Sequence, residues 1–174
     1  MKKMLCFIFS IIVTAGCNNN NEIEPSKANE VSNYSADFLR EWFKLECRIV
    51  KETAGFLPPQ ASRAFGYVGI TAYEAAYSGI NNARPLAGQI NRLMPATMPV
   101  PLPLNVRYHW GAVVNAAVAD MMRLMFAKNL SSDNLQKIND LEAKNLLEFT
   151  KTTSKLLADE SIKHGKAVAQ AIYE

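Results

Sequence analysis

Residues 58–80 read PPQASRAFGYVGITAYEAAYSGI, and they indicate the fold more clearly than any other stretch of the chain. Pro58 and Pro59 suit the first turn of a helix, because the N–H groups that proline lacks have no helical partner there. Small residues and large apolar residues follow, and the pattern stops near Gly79. A helix that is apolar on most sides is buried, so we expect this second helix of the chain to lie inside the molecule.

Two glycines inside the second helix predict a close contact. Gly66 and Gly69 each cost about 1 kcal/mol relative to alanine in a helix interior, which suggests that another helix approaches the backbone there. A second stretch, VRYHWGAVVNAAVADMMRLMF, is also rich in small residues and apolar almost throughout. It predicts a third helix over about 106–127, with Asn105 as its cap.

Three amphipathic stretches predict the remaining helices. The first helix covers about 35–54, the fourth begins after Ser131 or Ser132, and the fifth runs from about Ser154 to the end. The candidate core positions of the fifth helix are Leu157, Ile162, Ala167, Val168, Ala171 and Ile172. No pair of strands is evident. The predicted fold class is therefore all-α, an incomplete bundle of about five helices over residues 34–174.

A long connection separates the second and third helices. Residues 81–104 include MPATMPVPLP, whose four prolines favour an extended or polyproline-like backbone. Connections of this length are uncommon within a compact domain unless they wrap the body or border a site.

The N-terminal stretch predicts export. Residues 2–17 read KKMLCFIFSIIVTAGC, a basic start followed by an apolar run too short to span a membrane and then by small residues before a cysteine. This ending resembles the bacterial lipobox, although Thr14 stands where leucine is common. We expect residues 1–16 to be a lipoprotein signal peptide and Cys17 to carry the lipid. The polar residues 17–33 then form a flexible tether, and the protein is exported, membrane-anchored and faces the periplasm.

Charge and cysteine content exclude several function classes. Loss of Lys2 and Lys3 with the leader lowers the net charge from +3 to +1, and no basic block remains, so nucleic acid is not an expected partner. Cys47 is then left without a second cysteine for a disulfide, and we interpret it as core packing rather than as a reactive thiol. His109 and His164 are the only histidines, so no zinc-type spacing exists.

The helical segments together resemble a known superfamily. The second helix, the following ARPLAGQINRL, the third helix and the closing SIKHGKAVAQAIYE are similar to the N-terminal helical region of bacterial vanadium haloperoxidases and type 2 phosphatidic acid phosphatases. The resemblance covers about 37–174. It implies a helical bundle that binds phosphate, or vanadate as its mimic, and that hydrolyses phosphate esters or oxidises halides.

The catalytic motifs of that superfamily are missing. They are Lys-x6-Arg-Pro, Pro-Ser-Gly-His and Ser-Arg-x5-His, whose cations and glycine N–H groups hold the oxyanion while one histidine attacks and the other transfers a proton. Tyr77 stands where the lysine before Arg84 would be required. Gly69 stands where the histidine after Ser62-Arg63 would be required. No catalytic, cofactor-binding or metal-binding residue is therefore carried over, and phosphate or vanadate is expected only in a complete family member.

The resemblance implies a specific role. In the resembled proteins the catalytic bundle follows a helix like the one that ends this chain in AIYE. We expect a non-catalytic N-terminal portion, inactive alone, whose partners are the membrane, through the lipid anchor, and a missing catalytic half or another helical protein. The alternative is a periplasmic helical lipoprotein that acts as a partner-binding module.

Four kinds of side chain could still carry chemistry, and each has a simpler interpretation. Glu74 could orient a base in a missing half, but we favour a hydrogen-bonded structural carboxylate. Arg63 could pair with Glu74 across another element, but a surface arginine is the simpler reading. His109, beside Trp110, could border an anion site at a helix start, but a capped helix end with packed rings is preferred. His164 is interpreted as part of a solvated face. The methionines are interpreted as core filling rather than metal ligands; they are Met94, Met98, Met121, Met122 and Met125.

Overall fold

The structure, a computed structural model, describes residues 30–99 and 107–174. The predicted leader 1–16, the lipidation site Cys17, residues 18–29 and the predicted cap Asn105 lie outside the described residues. Five α-helices follow one another: α1 (Asp37–Glu52), α2 (Pro58–Ala76), α3 (Trp110–Phe126), α4 (Ser132–Phe149) and α5 (Lys155–Tyr173). The described part of the chain contains no β-strand, only an isolated bridge between Ala87 and Ile90. The predicted all-α fold is confirmed.

Helix α3 forms the centre of the molecule. It packs mainly against α5 and also contacts α2, α4 and α1. Residues 110–119 are all buried, which fits a helix that is apolar on nearly every side. Helix α2 is buried in its second half, whereas its first half leaves a face with Arg63 and Phe65 exposed. The expectation that α2 lies inside the molecule is therefore confirmed only for its C-terminal half.

A close helix contact exists, but the prediction that it lies at Gly66 and Gly69 is wrong. A Cβ atom added to either glycine would meet nothing within 4 Å. The close contact occurs instead at Gly165 of α5, where a Cβ would collide with the backbone oxygen of Val113 in α3. Glycine at 165 therefore allows the two backbones to approach, which explains why the α3–α5 pair dominates the core.

Side chains cap the starts of α3, α4 and α5. Ser131 and Ser154 accept hydrogen bonds from the backbone N–H groups of Asn134 and Leu157, as predicted for α4 and α5. Helix α3 begins at Trp110 rather than near 106. The His109 side chain caps it by accepting from the Ala112 N–H.

The buried face of α5 differs from the predicted one. Ala167 is exposed, and the predicted core residues Leu157, Ile162 and Ala171 are only half-buried. Small side chains take their place, because the narrow spacing to α3 excludes larger ones. The buried residues of α5 are Ala158, Ser161, Gly165, Val168, Ala169 and Ile172.

Residues before α1 belong to the folded body. Val31–Asn33 form a 3₁₀ turn, and Val31 packs against the hydrophobic core. Asn81 Nδ2 donates to Glu30 Oε1 at 2.9 Å. The boundary predicted between tether and body at residue 34 is therefore corrected to include residues 30–33 in the body.

The long connection is compact where it is described. A 3₁₀ turn covers Pro95–Thr97, in place of the extended backbone that the prolines predicted. Leu93 is buried, and Met98 packs against the core. This part of the connection wraps the body, one of the two roles expected for it.

Candidate functional site

The described chain has an apolar groove between α1, α2 and α3. Its volume is about 340 Å³, and its lining is almost free of polar surface. We call it the apolar groove. Its walls are formed by Val31, Tyr34, Phe38, Leu39, Phe43, Tyr73, Ile80, Trp110 and Val114, and the small residues between them are Gly69, Ala72, Ala76 and Gly111.

Small residues keep the groove open on its α2 side. Gly69, Ala72 and Ala76 lie at helical spacing, and the space beyond the Cα of Gly69 is empty. Phe43 and Ile80 remain 36% and 40% exposed. An apolar surface of this shape is suited to receive another apolar element rather than a polar substrate.

Glu74 is a structural carboxylate, as we preferred. Its side chain is buried, and Oε1 accepts hydrogen bonds from the backbone N–H groups of Leu86 and Ala87, the latter at 3.0 Å. These contacts fix the loop after α2 against its C-terminal turn. Among residues 30–99 and 107–174 no cation forms an ion pair with this carboxylate, and Arg63 bonds to Tyr67 instead.

His109 is part of a packed helix start, which confirms the simpler interpretation. Its Nδ1 accepts from Ala112 N–H at 3.1 Å, and its backbone N–H donates to Ser161 Oγ at 2.9 Å. The rings of Tyr34 and Phe149 lie 4.7 and 4.9 Å from its ring centre. Burial lowers the pKa of His109, so the neutral ring with its proton on Nε2 is favoured.

The solvated-face interpretation of His164 is wrong. Its ring is half-buried and stacks on Tyr108, with ring centres 4.6 Å apart. Burial lowers the pKa of His164 as well. The flanking lysines do point to solvent, but the turn of α5 directs His164 onto the chain entering α3.

Arg63 is a surface residue, as the simpler reading held. Its Nη2 donates to Tyr67 Oη at 3.4 Å, and its guanidinium lies 5.4 Å from the centre of the Tyr67 ring. Cys47, by contrast, is exposed, so its predicted role in core packing is wrong. The buried face of α1 runs through Trp42, Glu46 and Ile49 and leaves Cys47 outside.

The methionines divide between core and surface. Met121 and Met122 are fully buried, and Met98 and Met125 pack partly buried against the core. Met94 is 56% exposed, so it does not fill the core. Within residues 30–99 and 107–174, no group of three or more histidine, cysteine or acidic side chains could hold a metal ion.

Glu46 is the polar residue that the sequence reasoning missed. It is fully buried in α1, neither carboxylate oxygen has a hydrogen-bond partner among the described residues, and burial raises its pKa to about 8. The spacing of Glu46 in the sequence predicts its burial, since it lies four residues after Trp42 and three before Ile49 on the apolar stripe of α1.

An asparagine pair links three helices in the core and was also missed. Asn115 Oδ1 accepts from Trp42 Nε1 at 2.8 Å and from Asn145 Nδ2 at 2.9 Å. Asn115 Nδ2 donates to the Glu142 backbone oxygen at 3.0 Å. These bonds tie α1, α3 and α4 together and occupy the side-chain amide of Asn115 and the indole N–H of Trp42.

The phosphate or vanadate implied by the resemblance finds no catalytic cradle at either histidine or at Ser161. His109 is enclosed by aromatic rings and backbone, and His164 is stacked on Tyr108, so neither lies in a cradle of cations and glycine N–H groups. The Ser161 hydroxyl donates to the Leu157 backbone oxygen at 2.6 Å and does not face a base.

Comparison with known protein families, with curated proteins and with solved structures found no match for this chain. Among the described helices, none has the length and apolar character needed to cross a membrane.

Proposed function

We propose that this chain is a non-catalytic helical module that receives an apolar helix of a second protein body in the apolar groove. The resemblance makes that body the catalytic part of a haloperoxidase-like or phosphatidic acid phosphatase-like enzyme. In the complete assembly the reaction would be phosphate ester hydrolysis or vanadate-dependent halide oxidation. The lipid on Cys17 would hold the assembly at the membrane, facing the periplasm.

The shape of the apolar groove carries the proposal. Recognition of a helix in a groove requires an apolar channel with room for a backbone and larger side chains at its rim. Gly69 and Ala72 provide the room, while Phe43 and Ile80 provide exposed apolar rims. Burial of such surface contributes about 25 cal/mol per Å², so a docked helix would gain several kcal/mol.

The chemistry of the buried polar groups supports a non-catalytic role. His109 Nδ1, the Ser161 hydroxyl and Glu74 Oε1 each bond to backbone groups of the fold, while Glu74 Oε2 is buried away from any substrate. A catalytic acid, base or nucleophile must keep such a group available to a substrate. The catalytic groups of the assembly would therefore come from the second body.

The first test reads the coding DNA beyond the codon for Glu174 in all three frames. We expect Lys-x6-Arg-Pro, Pro-Ser-Gly-His and Ser-Arg-x5-His there. That second segment should form a complex with this chain in size-exclusion chromatography, and phosphatase activity should require both. Absence of the motifs in every frame would contradict the split-enzyme proposal.

Two glycines of α2 offer a matched pair of variants. Gly69→Leu fills the apolar groove, whereas Gly66→Leu places the same side chain in open space outside the groove. Both replace a helical glycine and should stabilise the chain alone by about 0.5–1 kcal/mol. Only Gly69→Leu should abolish complex formation. Equal binding by the two variants would show that the apolar groove is not the docking surface.

The second candidate function is a periplasmic helical lipoprotein that binds a different helical protein in the same groove. The open groove favours it independently of any catalytic motif. A photo-crosslinking amino acid at Phe43, in cells, should give an adduct that Gly69→Leu removes and Gly66→Leu retains. No adduct, or one insensitive to Gly69→Leu, would contradict this function.

A further inference from the structure

A second cavity, of about 420 Å³, lies away from the apolar groove. It opens where the start of α2 meets the ends of α3 and α5, and it shares no lining residue with the apolar groove. We call it the Arg63 cleft. Its lining consists of Phe56, Gln60, Arg63, Tyr67, Met125 and Tyr173.

The Arg63 cleft has a positively charged group available for binding. Within the described residues no carboxylate forms an ion pair with Arg63, and its only hydrogen bond is the long one to Tyr67 Oη. Arg123 is different, because Glu142 and Asn139 already occupy its donors. A guanidinium stacked over a ring still directs its N–H edges outward, and that planar edge matches the two oxygens of a carboxylate or phosphate.

The floor of the Arg63 cleft is apolar and fixed. Phe56 stacks on the buried Phe126 with ring centres 4.4 Å apart, and Met125 packs against the core. Tyr67 and Tyr173 add ring faces beside Arg63. The rigid apolar floor would accept the non-ionic part of a ligand, preferably aromatic, by stacking.

Polar groups around Arg63 are neutral. Gln60 supplies an amide and the two tyrosines supply hydroxyls, while no acidic side chain lines the cleft. Gln60 also lies in the first turn of α2, at the positive end of the helix dipole. The positive charge of Arg63, the neutral hydrogen-bond donors beside it and the apolar floor of the cleft therefore favour the same kind of ligand. That ligand is an oxyanion attached to an apolar group.

We propose that the Arg63 cleft binds a small amphiphilic oxyanion, a carboxylate or phosphate monoester carried by an aromatic or short alkyl group. Arg63 binds the oxyanion, Gln60 donates beside it, and Phe56 and Met125 contact the apolar part. This site does not depend on the proposed function of the apolar groove.

Isothermal titration of the purified full chain with phenyl phosphate tests the site. We expect saturable binding that inorganic phosphate and phenol each reproduce only at much higher concentration, because each lacks one half of the ligand. Arg63→Gln should weaken phenyl phosphate binding at least tenfold. Arg48→Gln, the same change at an exposed arginine of α1 outside the cleft, should leave it unchanged. No saturable binding, or equal binding by wild type and Arg63→Gln, would overturn the proposal.

Methyl resonances give a readout that does not need a variant. Phenyl phosphate should shift the Met125 methyl signal and leave that of the exposed Met94, outside the cleft, in place. A shift of Met94 alone, or of neither, would overturn the site even if Arg63→Gln did not fold.

Vesicle binding distinguishes the two sources of such an anion. The full chain and Arg63→Gln are compared on phosphatidylcholine vesicles with and without phosphatidylglycerol. One outcome is that the wild-type chain binds the anionic vesicles more tightly, with phenyl phosphate competing for that binding and Arg63→Gln showing no such preference. This result would support the cleft and identify its ligand as a lipid headgroup. Equal vesicle binding by the two proteins, alongside Arg63-dependent phenyl phosphate binding, would support a soluble anion.

Discussion

Two buried glutamates, Glu46 in α1 and Glu74 in α2, have opposite surroundings. Glu74 Oε1 is held by the backbone N–H groups of Leu86 and Ala87, and only its Oε2 lacks a partner, whereas among the described residues neither oxygen of Glu46 has one. Both are buried among apolar residues, and neither forms an ion pair within the part of the chain that the structure describes. The comparison teaches that burial alone does not define the role of a carboxylate, since one stabilises a loop while the other is a cost to the fold.

The largest expected effect comes from removing the orphan carboxylate. Glu46→Met replaces it with an apolar side chain of similar length. At pH 9 the free energy of unfolding should rise by about 4 kcal/mol, because the carboxylate with a folded pKa of about 8 is then ionised inside the protein. Urea denaturation followed by circular dichroism measures it. A loss of stability at pH 9 would mean that Glu46 has a partner that the described residues do not include.

The opposite sign is expected at Glu74. Glu74→Leu leaves the Leu86 and Ala87 N–H groups without an acceptor, and stability should fall by about 3 kcal/mol. Glu74→Gln, which keeps an acceptor oxygen, should lose less. Urea denaturation at pH 7 measures the free energy of unfolding of both variants. Equal losses of stability would show that the hydrogen bonds to the Leu86 and Ala87 N–H groups are not the source of the effect.

The pH dependence of stability should also depend on Glu46. Its folded pKa of about 8 lies above the value of 4.5 expected when it is exposed, so the folded state holds the extra proton. Its contribution to the free energy of unfolding is complete below pH 4.5. That contribution is lost as the pH rises to about 8, by no more than about 1.4 kcal/mol per pH unit.

The histidines act in the opposite direction. Burial lowers the pKa of His109 and His164, so the stability they contribute is full above pH 6.5 and is lost as the pH falls below it towards their folded pKa values. The difference between wild type and Glu46→Met cancels these terms. The difference in the free energy of unfolding between Glu46→Met and wild type should grow from pH 5 to pH 8. A difference that does not change with pH would refute the assigned role of Glu46.

The smallest expected effect concerns an uncharged buried hydroxyl without a hydrogen-bond partner. Thr71, one turn before Glu74, is buried, and its hydroxyl has no partner. Thr71→Val keeps the shape and removes the hydroxyl, so stability should rise by about 0.5–1 kcal/mol. Thermal unfolding detects a change of this size. A clear loss would mean that the hydroxyl is bonded in solution.

Local patterns predicted most of the helices but not the faces they bury. Ser131 and Ser154 were recognisable as caps because a cap acts on N–H groups two or three residues away. Cys47 and His164 were assigned to the wrong face, because a rotation of one residue about a helix moves a side chain by about 100°. Neither the apolar groove nor the Arg63 cleft could be predicted, since each is lined by several elements.

The sequence by itself determined the class of fold, five helices with most of their ends, because periodicity and capping act over a few residues. Only the tertiary structure decided that Glu46 is an orphan and that Trp42 bonds to Asn115, 73 residues away. It also decided that an open groove lies beside Gly69, while the close backbone contact lies at Gly165. The physical reason is that hydrogen-bond satisfaction and packing depend on which distant side chains share the same volume.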